Sequence, residues 1–462
     1  MLLTSIILYL TVTILIGFWA SRRVRTSTDF MLAGRSLPLL LGSSALFATW
    51  FGSETVFGAS SQFLEGGLYA VIEDPFGAAL CLLLFGVFFA RKLYRMNLLT
   101  LGDFFKVRYG RSTELVACIF LAPPYVGYIA AQLVAMGLIL NVVAGVSLAE
   151  GIAISAFVVT LYTLIGGMWA ITITDFVQTL IIIGGLVVVA VSLGIKAGGV
   201  THVLSIVPPE NFKFLPSPDL NEVVAYVAAW AVLGFGSIPS QDVFQRAMSS
   251  RSPSVAAWSC YIAALLYLTI AMLPLFICLC VKHLYPEQVT GDTQLTLPNM
   301  VLSHMSMPVQ ILFFGSLLSA IMSTTSSAIL APASILSENF IKPLTRQRFR
   351  DKHFLFLTRI CVLIFSILAT VMATLRSNIY ELVGESSILS LVSLFAPLTF
   401  GLYWKRSSSA GALLSMMLGM LTWIIFEFYN TAWPSLVPAT LVSIGAIVAG
   451  SLIWPDKGKR YD

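Results

Sequence analysis

The chain has 462 residues, of which 58% are hydrophobic and 11% charged, with mean hydropathy +0.89 and a formal net charge of +5. Soluble domains carry about 25% charged residues, so this composition excludes a soluble globular protein and leaves an all-α integral membrane protein with little mass outside the lipid bilayer. The positive balance makes no case for nucleic acid, because the basic residues sit where membrane topology puts them.

Apolar runs of about 20 residues predict thirteen spans. They lie near 2–20, 38–65, 71–90, 114–145, 150–166, 168–195, 222–248, 255–282, 308–340, 355–376, 379–404, 408–428 and 434–454. The first is preceded by no basic stretch and followed by Arg22, Arg23 and Arg25, so it reads as a retained helix with its N-terminus outside. From that start the loops after odd-numbered spans, and the C-terminus, are cytoplasmic. They hold 23 of the 27 Lys and Arg residues, leaving Lys196, Lys213, Lys282 and Arg376 outside. Losing one span upstream would scramble that asymmetry. Six scattered cysteines show neither metal-ligand nor disulfide spacing and read as packing residues. No Asn-x-Ser/Thr sequon occurs, which favours a bacterial cell membrane over a glycosylated surface. A phosphate-binding Gly-Lys-Ser/Thr loop, HExxH and GxSxG are all missing, so neither an ATP-driven pump nor an enzyme is expected.

Polar residues concentrate in a few spans. The second contains ALFATWFGSETVFGASS (Ala45–Ser61), where Gly52, Ser53, Glu54, Thr55 and Gly58 interrupt an apolar run. Lipid cannot satisfy a loosened backbone, so this stretch faces protein or a watery cavity, and an acid at that depth is a functional candidate. Tight packing of small residues is the plainer reading. Five spans later, VLGFGSIPSQDVFQR (Val232–Arg246) repeats the pattern: Gly234, Gly236 and Pro239 break the helix beside Ser240 and Gln241. Interruptions at corresponding places in two five-span halves are the trace of an inverted repeat. Asp242 and Arg246 read as an ordinary i,i+4 pair.

In the sixth span Asp175 sits about 12 Å beyond the Gly166–Gly167 turn, at 1.5 Å per residue. Neither Lys nor Arg is expected nearby in the inner bundle, which leaves a mobile cation or a proton to neutralise it. The ninth span carries SAIMSTTSS (Ser319–Ser327). Its hydroxyls are hard, neutral oxygens of the kind an alkali cation prefers, although such clusters also serve as glue between helices.

At this point the sequence resembles the sodium:solute symporters, relatives of the sodium/proline, sodium/glucose, sialic acid and choline carriers. The resemblance rests on AGRSLP (Ala33–Pro38), LGDFF and RYG (Leu101–Gly110), GGMWAITITDFVQ (Gly166–Gln178), FQRAMSS (Phe244–Ser250) and SAIMSTTSS, and runs essentially end to end. It implies a LeuT-like fold of 5+5 inverted repeats, with repeat one at 38–195, repeat two at 222–404, span 1 in front and extra spans at 408–454. It also implies Na⁺ as coupling ion. The principal sodium site would take the carbonyls of Ala48, Phe51 and Ala320 and the hydroxyls of Ser323 and Thr324. A second sodium would use Asp175 with Ser323, Ser326 and Ser327.

The co-transported partner is a small organic solute. The stretches ATW and VFQR look most like the high-affinity choline carriers, with Trp50 and Tyr128 standing where those have cage aromatics that attract quaternary ammonium. Ser240 and Ala78 replace two other cage aromatics, so amino acids of the proline type and sugars stay open. The expected solute contacts are Trp50, Gly52, Ser53, Glu54, Tyr128, Ser240 and Gln241. Glu73 and Asp74 either add charge for a cationic solute or cap the start of span three. A transporter-like solute sensor is the alternative of another class.

Overall fold

Polar side chains are gathered inside this protein, within a large apolar core. Phe157, Ile367 and Leu441 are more than 60% exposed, whereas Asp175, Arg246, Gln241 and every hydroxyl from Ser323 to Ser327 are buried. A surface of that kind suits lipid rather than water. The computed structural model describes residues 2–22, 27–342, 351–429 and 433–456, all of it helix and connecting turns apart from one isolated bridge. Arg23, Arg25, Arg346, Arg348, Arg350, Lys457, Lys459 and Arg460, which entered the charge count, lie outside the described residues. The Gly166–Gly167 turn expected from the sequence falls within the helical run Leu148–Lys196.

Among the described residues nine helices are long and apolar enough to cross a membrane, and ten if the bent pair Leu220–Gly236 and Gln241–Met248 is one span. Shorter apolar helices cover Leu2–Val12, Leu39–Ala48 and Leu148–Leu164.

The first broken helix runs over Leu39–Ala48, loosens at Thr49–Gly52, and resumes as a wide turn over Glu54–Ala59 and an α-helix over Ser60–Gly66. Thr49 bonds back to the Ala45 carbonyl (2.9 Å), and Tyr128 donates its hydroxyl to the Thr49 carbonyl (2.7 Å), satisfying a group the break releases. The second broken helix bends by 48° between Gly236 and Gln241. Pro239 removes a backbone donor there. Gly236 is needed for close approach, since a Cβ would lie 2.4 Å from the Ser387 carbonyl oxygen.

The far ends of the two broken helices meet. Leu37, in AGRSLP, accepts from the Arg251 amide and donates to the Ser249 carbonyl, both at 3.0 Å, beside FQRAMSS. Asp74 does not cap a helix: it sits at a non-helical kink before Pro75 and accepts from the Tyr267 hydroxyl at 2.7 Å.

Candidate functional site

The two breaks face one another across a small cavity of about 40 Å³. Trp50 and Glu54 come from the first broken helix, and Gly236, Ser237, Ser240 and Asp242 from the second. Tyr125 and Tyr128 enter from the helix Pro124–Ala144, and Ser386, Ser387 and Ser390 from Ile379–Ser390. Pockets for small molecules combine such apolar walls with a few convergent polar groups.

Four of the seven expected solute contacts therefore line this space: Trp50, Glu54, Tyr128 and Ser240. Gly52 lies elsewhere, where a Cβ would come within 3.6 Å of Ile321 on the hydroxyl-rich helix. Ser53 is fully buried away from the wall. Gln241 turns to the loop helix Leu101–Tyr109, accepting from the Leu101 amide at 2.7 Å. It satisfies one of the orphan donors at that helix start.

Asp242 is the residue the sequence reading misplaced. Its carboxylate accepts from the Tyr125 hydroxyl at 2.8 Å, while its amide donates to the same oxygen at 3.0 Å. It faces the cavity and does not pair with Arg246. Glu54 accepts from the Gln132 side-chain amide at 3.2 Å. Neither acid has a Lys, Arg or His nitrogen within 4.0 Å among the described residues. Tyr125 and the three serines were missed as well. Tyr125 is three residues before Tyr128, on the same helical face, and GESSILSLVS carries hydroxyls in a span much as SAIMSTTSS does.

The first break meets the helix Met307–Ile335 beside some of the expected ion ligands. Thr324 donates its hydroxyl to the Ala48 carbonyl at 2.8 Å. Gly52 abuts Ile321 between Ala320 and Thr324, and Ala48, Phe51 and Ala320 are all buried. Ser323 points the other way, donating to Asp175. Ser326 and Ser327 donate their hydroxyls back to the Ser323 carbonyl at 2.9 and 3.1 Å, as helix hydroxyls do.

Arg246 corrects the expectation that no base reaches Asp175. Its guanidinium lies 3.6 Å from the Asp175 carboxylate and donates to Ser327 at 2.8 Å, with both ionic residues at most 1% exposed. Four residues past Asp242, the arginine has turned from the cavity toward the hydroxyl-rich helix. The protein's own cation thus stands beside the acid that the second sodium was to use.

This arrangement, two interrupted helices enclosing a cavity beside a hydroxyl-rich third, belongs to secondary transporters. The sodium:solute symporter family matches residues 30–419, and the chain belongs to that family. It is 30% identical over 441 residues to the human high affinity choline transporter 1, covering 90% of this chain and 75% of that protein. It is 26% identical over 476 residues to the osmoregulated proline transporter OpuE of Bacillus subtilis (strain 168), covering 99% and 96%. Among solved structures, a substrate-bound, outward-open Na⁺-coupled sialic acid symporter superposes with TM-score 0.86 at 17% identity over 99% of both chains. The inward-facing Mhp1 superposes with TM-score 0.54 at 14% identity, over 89% of this chain and 90% of that one. These likenesses establish the fold as helical, membrane-embedded and LeuT-like.

Proposed function

We propose that the protein imports a small organic cation together with Na⁺. The observation that carries the reading is the cavity itself: Trp50, Tyr125 and Tyr128 supply aromatic surface, Glu54 and Asp242 supply negative charge, and no lining residue is basic. Family membership supports symport. Sodium binds between the Ala48 and Phe51 carbonyls and the Ala320–Thr324 turn, holding the two halves together while the solute side is open. The solute enters against the wall just described, the halves rock, and both ligands leave to the cytoplasm.

Thirteen spans, an outside N-terminus and 5+5 repeats fit this cycle and the loop charges. Each positive charge moved inward at −100 mV releases roughly 2.3 kcal/mol, and a tenfold sodium gradient adds about 1.4 kcal/mol. One sodium moving with a monovalent organic cation therefore sustains accumulation by about four decades. A proline-like amino acid is the second reading, supported by the similarity to the proline transporter OpuE. It lacks a basic side chain in the cavity for its carboxylate. Uptake of radiolabelled choline, alkylamines and proline into proteoliposomes decides between them. Cation accumulation should follow an inward Na⁺ gradient and vanish when Na⁺ is replaced by K⁺. Accumulation indifferent to that exchange would defeat sodium coupling.

A further inference from the structure

The cavity wall carries two carboxylates where one would suffice for a singly charged solute. A carboxylate removed from water needs a compensating charge or proton, because its desolvation costs several kcal/mol. For Asp175 and Glu114 the fold supplies that charge itself, from Arg246 and Arg111, whereas buried Asp74, off the cavity wall, has only the Tyr267 hydroxyl. The other buried arginine, Arg108, gives its guanidinium to the carbonyls of Gly401, Trp404, Lys405 and Ser407. No other basic side chain is buried among the described residues. Glu54 and Asp242, 2% and 3% exposed, also lack a base but line the cavity, where a solute reaches them.

They also stand on different elements. Glu54 opens the second part of the first broken helix and Asp242 the second part of the other. Gln132 and Tyr125 each donate to one carboxylate oxygen, fixing the orientation of both acids and leaving the second oxygen of each for a ligand. We propose, resting on the symport reading above, that the solute is an organic dication with two ammonium groups, one held by Glu54 and the other by Asp242. Such a molecule bridges the two broken helices, so that binding it joins the parts that must move together.

The test is displacement binding on the purified full chain in nanodiscs with Na⁺ present. Straight-chain α,ω-diamines of three to six carbons are compared with n-alkylamines of the same length, choline and proline. The best diamine should bind at least about tenfold more tightly than its matched monoamine, the value of one extra charge-assisted contact. Glu54→Gln and Asp242→Asn should each bring that ratio down to about one. The wild-type ratio needs no variant to fold. A monoamine or choline binding as tightly as the best diamine overturns the dication, as does a diamine preference that persists in the Glu54→Gln/Asp242→Asn double variant. Either result leaves symport standing if sodium-driven uptake of the monovalent solute is seen. Uptake of every compound indifferent to sodium overturns the symport reading instead.

Discussion

Asp175 and Arg246 form a pair in which each residue is costly without the other. Their separation of 3.6 Å, at 0–1% exposure, leaves one carboxylate oxygen and the arginine Nε without hydrogen-bond partners. Arg246→Ala should lower stability by about 3–5 kcal/mol by stranding a buried acid, whereas Arg246→Met with Asp175→Leu should recover most of that loss. Thermal unfolding in detergent micelles measures both, and equal midpoints for the single and double variants would refute the pairing. Thr324 allows a cleaner functional test, since its hydroxyl already reaches the Ala48 carbonyl. Thr324→Ala should raise the Na⁺ concentration for half-maximal uptake about tenfold or more, and Thr324→Ser should restore it. Unchanged sodium dependence in the alanine variant would remove Thr324 from the ion site. At this scale the sequence showed which residues were polar and buried, but not which way each side chain turned. Asp242 and Arg246 satisfy an i,i+4 spacing that permits a pair, and only the packing of Tyr125 and Ser327 against them decides otherwise.

The loop helix Leu101–Tyr109 holds four separate segments together. Asn339 donates to both Asp103 and Glu114 at 2.8 Å and accepts from the Thr100 hydroxyl at 2.6 Å. Gln241 caps the same helix start. Gly102 allows the approach, because a Cβ would come within 2.7 Å of the Asn339 side chain. Asn339→Leu should therefore deprive two carboxylates of their shared donor, at about 1–3 kcal/mol for each group left unsatisfied. Amide hydrogen exchange should rise over Leu101–Tyr109 and stay near wild type in Ser409–Phe428, and a uniform change across both would argue against a local tie. The breaks at Thr49–Gly52 and Gly236–Ser240 were legible because glycine, proline and hydroxyls interrupt otherwise continuous apolar runs. The tie was not: LGDFF and Asn339 are more than two hundred residues apart, and no local pattern links them.

Across the whole molecule, orientation is carried by charge. Hydropathy predicts where helices run and the Lys and Arg asymmetry predicts which loops stay inside, whatever the packing. Length alone finds nine or ten spans among the described residues, because broken and short helices such as Leu39–Ala48 fall below the length of a full span. If the N-terminus is outside and thirteen spans follow, Ser205 lies on the outer face and Arg406 on the inner one. Both are exposed, whereas all six native cysteines are buried, so single introduced cysteines report without a cysteine-free background. Ser205→Cys should react with a membrane-impermeant maleimide in right-side-out vesicles and Arg406→Cys in inside-out vesicles. An even number of spans between the two positions would place both on one side, and labelling of both from the same face would overturn the orientation. On that orientation, the proposed transport of Na⁺ with an organic cation would be drawn by the membrane potential toward the face that carries Arg406.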